Sequence, residues 1–291
     1  TQRDCLTYFF FCIFEFMGAI GVFDSGYGGL TVLKSLLEYM PDYDFMYYGD
    51  NKRAPYGTRS FEEVYEFTLE AVKQLFDRGC PLVILACNTA SAKALRSVQR
   101  KYLPEAAPEK RVLGVIRPSA EVVGALSKTH HIGLLATEGT VRSESYRLEL
   151  EKFSPHIELF QHACPAWVPL IEEGNAHSEE GRRQIKEDVQ RLLAMSPDID
   201  TVLLACTHYP ILASYLRTII PGNIQIVSQG DIVAESLKDY LSRHPEIDRQ
   251  LTKTATVSYF TSGSPELFNQ QAEKIIRMKT NARSIEDEQY R

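Results

Sequence analysis

Residues 83–89 read VILACNT, and residues 202–208 read VLLACTH. Each stretch is a short apolar run that ends in a cysteine and continues with polar residues. Apolar runs of this length that stop at a turn are typical of strands buried on both faces of a parallel sheet. The repetition therefore predicts two similar α/β halves, each with a cysteine just past the carboxyl end of a strand, where open α/β sheets bind their ligands.

The repeat extends upstream of both cysteines. Residues 20–25 read IGVFDS and residues 132–137 read IGLLAT, so each apolar run ends in a hydroxyl side chain. Ser25 precedes Cys87 by 62 positions, and Thr137 precedes Cys206 by 69. Two facing halves would bring both thiols together. The alternative is that any two buried parallel strands look alike.

The rest of the chain alternates between short β-branched runs and amphipathic stretches, which predicts an α/β fold with parallel sheets. Strands are predicted at residues 20–23, 44–49, 82–86, 112–116, 132–136, 157–161, 201–205, 224–227 and 256–260. Helices are predicted at residues 30–39, 60–78, 91–101, 120–127, 141–152, 178–195, 211–219, 232–243 and 265–278. The last dozen residues are predicted to form a solvated tail.

Composition limits the classes of function. The 291 residues carry a formal net charge of −6, which disfavours nucleic acid as a partner, because phosphate backbones bind basic surfaces. No cysteine pair has CxxC spacing, and none is spaced with histidines as a zinc site would be. Free thiols in a reducing compartment and no metal site are therefore predicted. The cysteines are Cys5, Cys12, Cys80, Cys87, Cys164 and Cys206.

The first 16 residues form a separate question. They include the apolar run YFFFCIF at residues 8–14, which is far shorter than the roughly 20 apolar residues of a membrane-spanning helix. Met17 is predicted to be the natural start, with residues 1–16 an extension outside the fold, and a functional signal peptide is the alternative. A cytoplasmic location and no membrane partner are expected.

Two glycine-containing loops follow predicted strands. Residues 24–29 read DSGYGG, and exposed N–H groups before a helix would suit a carboxylate or phosphate. The loop lacks both the GxGxxG fingerprint and the Gly-Lys end of a P-loop, and Asp24 and Ser25 could equally cap the helix. Residues 53–57 read RAPYG, a rigid turn that could present Tyr56 to a ligand or serve only as a connection. Asp50 is a possible acidic helper near Cys87.

Cys87 and Cys206 are candidates for proton transfer. A thiol becomes an effective base when a helix N-terminus or an imidazole favours its thiolate, and His208 lies two residues after Cys206. A single cysteine in such a position is more often inert. Two at equivalent points of a repeat favour catalysis. Cys80 and Cys164 lack the repeated strand-end setting and are predicted to be structural.

Five motifs in order resemble the aspartate/glutamate racemase family, and within it the glutamate racemases of bacterial cell-wall synthesis. They are IGVFDSGYGGLTVL, YYGDNKRAPYG, LACNTASA, VPLIE and LLACTHYP, which span most of residues 17–237. The resemblance implies a cofactor-independent enzyme that interconverts L- and D-glutamate, the D-form for peptidoglycan. It also implies two flavodoxin-like domains with parallel sheets, pseudo-symmetric, and an active site in the cleft between them.

The resemblance also implies roles for individual residues. Cys87 would act on D-glutamate and Cys206 on L-glutamate, with Asp24 near the first thiol and His208 and Glu172 near the second. Substrate binding is expected of Asp24, Ser25, Tyr56, Gly57, Asn88, Thr89, Thr137, Thr140, Thr207 and His208.

The expected domains are residues 17–115 with 226–291, and residues 116–225. At residues 117–120 and 227–230, the chain departs from the sequence that family members commonly show. These departures bear on motion between the domains more than on catalysis. A homodimer is expected. The alternatives are an enzyme of the aspartate racemase type and a non-catalytic amino-acid-binding protein on the same scaffold.

Overall fold

A computed structural model describes residues 18–286 of the chain. The predicted extension at residues 1–16, with Met17, Cys5 and Cys12, lies outside the described residues, as do residues 287–291. The strands are β1 (Ile20–Asp24), β2 (Phe45–Gly49), β3 (Leu82–Leu85), β4 (Arg111–Gly114), β5 (His131–Ala136), β6 (Glu158–Ala163), β7 (Thr201–Ala205), β8 (Gln225–Val227), β9 (Val257–Thr261) and β10 (Arg283–Ser284).

The strands form two parallel sheets. The first has the order β10-β9-β2-β1-β3-β4, and the second has the order β6-β5-β7-β8. The segment β2-β1-β3-β4 therefore repeats as β6-β5-β7-β8, with β1 equivalent to β5 and β3 to β7. This shared order confirms the predicted pair of similar α/β halves, and it places the two repeated cysteine motifs at equivalent strand ends.

The helices connect successive strands and pack on both faces of each sheet. The α-helices are Leu30–Tyr39, Phe61–Asp77, Asn88–Lys93, Leu95–Ser97, Leu103–Ala106, Ile116–Leu126, Glu138–Arg142, Ser145–Phe153, Trp167–Glu172, Glu179–Leu193, Ala213–Ile219, Gly230–Arg243, Pro245–Asp248 and Pro265–Gln271. Two π-helical turns span Val98–Tyr102 and Ala272–Ile276, and a 3₁₀ turn spans Tyr209–Leu212. Across residues 18–286, no helix has the length and apolar character needed to span a membrane.

Each central strand is apolar along its whole length because helices cover both faces of its sheet. In the first sheet, Val22 faces one apolar core and Phe23 faces another. In the second sheet, Leu134 and Leu135 alternate in the same way. Two-sided burial leaves only the strand ends for polar side chains, so chemistry is confined to the loops that follow β1, β3, β5 and β7.

The chain crosses between the sheets twice, after β4 and after β8. Residues 18–114 and 257–284 supply the strands of the first sheet, and residues 131–227 supply those of the second. The limits of the two domains stay a prediction. Strand β8 pairs with β7 and carries the second sheet to Val227, two residues beyond the expected limit at residue 225.

The predicted solvated tail is wrong for its first part. Arg283 and Ser284 pair with Phe260 and Thr261 of β9, and Ile285 is 2% exposed. The guanidinium of Arg78 donates a hydrogen bond to the carbonyl of Ile285. The polar composition of this segment had predicted a solvent-exposed tail. Its two-residue edge strand is instead held by long-range backbone pairing with β9, which composition does not reveal.

Candidate active site

Cys87 and Cys206 line the same cavity between the two sheets, with a volume of about 110 Å³. Cys87 follows β3 and begins the helix Asn88–Lys93, and Cys206 directly follows β7. Both side chains are buried. The repeated sequence motif therefore produces what it predicts, two thiols facing one small space, and a volume of this size suits a small metabolite rather than a polymer.

Most of the expected site residues line this cavity. Those that do are Ser25, Tyr56, Gly57, Cys87, Asn88, Thr89, Thr137, Glu172, Cys206, Thr207 and His208. The lining residues that sequence reasoning missed are Gly26, Ala54, Pro55, Thr58, Glu138, Pro165, Val168 and Pro169. Val168 and Pro169 lie within the quoted VPLIE motif, so the motif was a usable signal for that wall of the cavity.

Asp24 lies behind the cavity wall rather than in it. Its carboxylate accepts hydrogen bonds from the N–H of Gly26 at 3.0 Å and from Thr207 Oγ1 at 3.3 Å. Burial raises its pKa, against the opposing effects of the His208 charge and of the N–H groups of Gly29 and Gly26. The N–H groups of this loop were expected to bind a substrate carboxylate. Those of Gly26 and Gly29 instead donate hydrogen bonds to the carboxylate of Asp24.

Thr140 is also one residue removed from the cavity. Its hydroxyl lies 3.0 Å from Thr137 Oγ1, and Thr137 Oγ1 lies 2.9 Å from Thr89 Oγ1. Thr137 and Thr140 follow β5, whereas Thr89 follows β3. This chain of three hydroxyl groups joins the two halves of the molecule along one side of the cavity, and Thr140 fixes the hydroxyl of Thr137.

The environment of Cys87 favours its neutral thiol. Burial raises the pKa of Cys87 to about 12, and the negative charge of Asp24 adds to that shift. Hydrogen bonds from Ser25, whose Oγ lies 3.5 Å from the sulfur, and from the N–H of Ala90 act in the opposite direction. The raised pKa therefore favours the protonated thiol at neutral pH.

Cys206 has a cationic neighbour instead. His208 Nδ1 lies 4.0 Å from Cys206 Sγ, and His208 Nε2 lies 2.9 Å from Glu172 Oε1. Burial alone would lower the pKa of His208, but the hydrogen bonds with Cys206 and Glu172 outweigh it and raise the pKa to about 10. The raised pKa favours the protonated ring at neutral pH, which places a positive charge close to Cys206 Sγ.

Asp50 does not act on Cys87 through a direct contact. It accepts hydrogen bonds from Arg53 Nε at 2.6 Å, from Ser262 Oγ at 2.6 Å and from the hydroxyl of Tyr56. The carboxylate therefore fixes the loop that carries Tyr56 and Gly57. Gly57 in turn lies close to Thr137 of the other half, since a Cβ on Gly57 would be 3.3 Å from Thr137 Cβ.

Gly28 allows the two halves to approach each other. A Cβ at this position would lie 2.4 Å from both His208 Nδ1 and Thr207 Oγ1. Thr31 Oγ1, one turn along, donates a hydrogen bond to the carbonyl of Thr207 at 2.9 Å. Gly28 of the DSGYGG loop is therefore needed for close packing against the CTH motif.

One group of potential metal ligands is present among the described residues. His162, Cys164 and Asp188 offer ligand atoms that lie within 4.8 Å of one another. The oxygens of Asp188 accept hydrogen bonds from His162 Nε2 and Trp167 Nε1, at 3.0 and 2.9 Å, and from Gln184 and Arg191. The carboxylate is saturated by donors, so the cluster anchors Trp167 at the start of the helix that bears Glu172.

Comparison with known proteins decides the family. The model of the Asp/Glu/hydantoin racemase family matches residues 20–237, which is most of the chain. The chain belongs to this racemase family. That match extends from β1 through both cysteine motifs to the middle of the helix Gly230–Arg243.

Individual racemases of the family resemble the chain over most of its length. A glutamate racemase of Dinoroseobacter shibae is 39% identical over 278 residues, which cover 92% of this chain and 99% of the relative. The structure of a glutamate racemase isoform from Bacillus anthracis has a TM-score of 0.83 at 32% identity and covers 93% of this chain and 98% of its own. The glutamate racemase of Francisella tularensis, solved in complex with D-glutamate, has a TM-score of 0.79 at 30% identity, with 92% and 98% covered.

Proposed function

We propose that this protein interconverts L- and D-glutamate by proton transfer at the α-carbon between Cys87 and Cys206. The observation that supports this most strongly is the pair of buried thiols that line one small cavity at equivalent strand ends. The similarity to proteins named as glutamate racemases supports the choice of substrate. No pyridoxal phosphate or metal is needed, because two acid/base groups on opposite faces of the α-carbon suffice.

In the proposed reaction, one sulfur takes a proton from the substrate and the other sulfur gives a proton to it. One thiolate removes the α-proton, and the electron pair of the broken C–H bond stays on the substrate as a carbanion. The other thiol delivers its proton to the opposite face, which inverts the configuration. Hydroxyl and N–H donors around the cavity stabilise the negative charge while it exists.

The resting charges suit removal of the proton from L-glutamate. Burial and the charge of Asp24 raise the pKa of Cys87, which favours its thiol, while His208, whose pKa is raised, lies 4.0 Å from Cys206 Sγ. The resemblance assigns Cys206 to L-glutamate, so in the L to D direction the imidazole of His208 lies beside the sulfur that takes the α-proton. The D to L direction uses Cys87 as the base and Cys206 as the acid, and Asp24 and His208 are proposed to assist this exchange of roles.

Substrate binding is proposed for groups on both halves of the cavity. Ser25, Asn88 and Thr89 lie on the first half, and Thr137 and Thr207 lie on the second. Tyr56, Gly57 and His208 also line the cavity. Asp24 and Thr140 lie behind its wall and are proposed to act on the substrate through Thr207 and Thr137, which they contact. Neutral hydroxyl and amide donors on two facing halves match a small molecule with a carboxylate at each end.

The wider setting follows from this activity. D-glutamate made by the enzyme would supply peptidoglycan synthesis, with the protein in the cytoplasm as a homodimer. An enzyme of the aspartate racemase type and a non-catalytic amino-acid-binding protein remain the alternatives. The two buried thiols in the cavity favour an enzyme, because a binding protein needs neither.

A substrate assay separates these functions. Purified protein without added pyridoxal phosphate is expected to convert L-glutamate into the racemate, followed by polarimetry, and to leave L-aspartate unchanged. Conversion of L-aspartate instead would favour the aspartate-type enzyme. Binding of glutamate by calorimetry without any loss of optical rotation would favour the binding protein and contradict the proposal.

The alkaline limit of activity should depend on Glu172. His208 keeps its proton up to a pKa of about 10, so a rate that needs the cation falls as the pH rises through about 10. Glu172→Gln removes a negative partner that raises this pKa, and the fall in kcat/KM should begin at lower pH. The measurement is a pH–rate profile between about pH 6 and 11. Glu173→Gln, the exposed neighbour, is the matched control, and an unmoved limit in Glu172→Gln would contradict this role for His208.

A further inference from the structure

A closed ring of buried hydrogen bonds lies behind Asn88, the residue that follows Cys87. Asn88 Nδ2 donates to Gln229 Oε1 at 2.6 Å, and Gln229 Nε2 donates to the hydroxyl of Tyr146 at 2.6 Å. The hydroxyl of Tyr146 donates to Asn88 Oδ1 at 2.7 Å, which completes the ring. All three side chains are at most 3% exposed.

The ring continues into the first connection between the sheets. Gln229 Nε2 also donates to Ser119 Oγ at 2.7 Å, and Ser119 Oγ donates to the carbonyl of Val115 at 2.7 Å. Each hydroxyl group thus both gives and receives a hydrogen bond, and the Gln229 amide uses its oxygen and its nitrogen. Buried hydrogen bonds that close a ring hold its members in one arrangement, because rotation of any side chain breaks a hydrogen bond away from water.

The members of the network come from both halves and from both connections. Asn88 begins the helix after β3, and Tyr146 lies on the helix Ser145–Phe153 of the second half. Ser119 lies on the helix Ile116–Leu126 of the first connection, and Gln229 precedes the helix Gly230–Arg243 of the second. The two segments that depart from the pattern of the resembling family, residues 117–120 and 227–230, meet here through Ser119 and Gln229.

Asn88 connects this network to the cavity. It lines the cavity beside Cys87, yet its amide oxygen and one amide N–H are committed to Tyr146 and Gln229. Within residues 18–286, no further acceptor contacts Nδ2, so its second N–H is left for a ligand. The direction of that N–H is fixed by partners on the two connections and on the opposite half.

We propose that Gln229 is a positioning residue that orients Asn88 for glutamate and ties this orientation to Tyr146 of the second half and Ser119 of the first connection. The proposal rests on the proposed glutamate racemase activity. Gln229 does not contact the cavity itself, because the lining of the cavity includes Asn88 and not Gln229. Its effect on the reaction is therefore on substrate binding through Asn88, whereas the sulfur and imidazole groups keep their own partners.

The test compares Gln229→Met with Ser119→Ala. Methionine keeps the volume of glutamine and removes the hydrogen bond between Gln229 and Asn88 Nδ2. KM for L-glutamate should therefore rise roughly tenfold, as expected for one lost hydrogen bond to substrate. The change in kcat should be smaller, and the pH limits of kcat/KM should not move. Ser119→Ala removes a different partner of the same amide and leaves Asn88 held, so its KM should change less than about threefold.

A double variant and Tyr146→Phe test the same proposal independently. The double variant with both changes should match Gln229→Met alone, since the two residues act through one amide. If Gln229→Met does not fold, Tyr146→Phe removes the hydroxyl that holds Asn88 Oδ1 and should raise KM in the same way. A folded Gln229→Met with unchanged KM, or an equal rise in Ser119→Ala, would overturn the proposal. Wild-type protein that fails to racemise glutamate would instead overturn the proposed function.

Discussion

Replacement of either Cys87 or Cys206 by serine is expected to lower the rate of glutamate racemisation by roughly a thousandfold. Each sulfur faces one side of the cavity, and a hydroxyl is a far poorer base than a thiolate and a poorer acid than a thiol. Because each direction of the reaction uses both groups, loss of one should stop L to D and D to L conversion alike. The measurement is the initial rate from each enantiomer by circular dichroism.

Cys80→Ser is the matched control for these two variants. Cys80 is as buried as Cys87, and burial raises its pKa to about 12 as well. Its sulfur packs 3.9 Å from the sulfur of Met46, and it does not line the cavity. Activity should therefore survive in Cys80→Ser. A folded Cys87→Ser or Cys206→Ser protein with a rate near that of the wild type would contradict the two-thiol proposal.

Gly28→Ala is expected to reduce kcat/KM by about a hundredfold while the protein still folds. The added methyl group would meet His208 and Thr207 at 2.4 Å, so the CTH motif must move away from the DSGYGG loop. Movement of His208 displaces the charge beside Cys206 and opens the cavity. Steady-state kinetics measure the loss, and thermal unfolding measures whether the fold persists.

Gly222→Ala is the control for the glycine replacement, because nothing lies within 4 Å of a Cβ at that position. It should leave both kcat/KM and the unfolding temperature near those of the wild type. A Gly28→Ala protein with full activity would contradict the close approach of the two halves that the site requires.

The strands could be predicted from sequence because burial on both faces requires apolar residues along their whole length. All nine strands predicted from apolar runs are present, and the repeat of VILACNT as VLLACTH corresponds to β3 and β7 in equivalent places. Strands covered on both faces must be apolar throughout, so their pattern is independent of distant partners. The positions just past them were predictable for the same reason, since polar residues can be tolerated only there.

Long-range contacts explain what sequence could not reveal. The helix Trp167–Glu172 has only six residues and contains Pro169, so no helical periodicity marks it. Strand β10 depends on pairing with β9 rather than on its own composition. The contact of Ser119 with Gln229 joins residues 110 positions apart, and neither residue alone indicates a hydrogen-bond network.

Asp24 illustrates the same limit within the site. The sequence predicted it at the start of the DSGYGG loop, and in the structure it is the last residue of β1. Only the folded structure shows that its carboxylate turns inward to the Gly26 N–H and to Thr207. Asp24 thus joins the DSGYGG loop to the CTH motif, and its charge raises the pKa of Cys87, which suits a residue that influences protonation at both places.

The isotope content of the first product tests the central proposal most directly. The reaction is started with L-glutamate in D₂O and stopped before equilibrium, the two enantiomers are separated on a chiral column, and the α-hydrogen content of each is measured by NMR. Two separate thiols predict D-glutamate that carries deuterium from the start, while the remaining L-glutamate stays protiated, because each sulfur serves one face. D-glutamate that retains the original proton, or deuterium that enters both enantiomers equally from the start, would contradict the assignment of Cys87 and Cys206 to opposite faces.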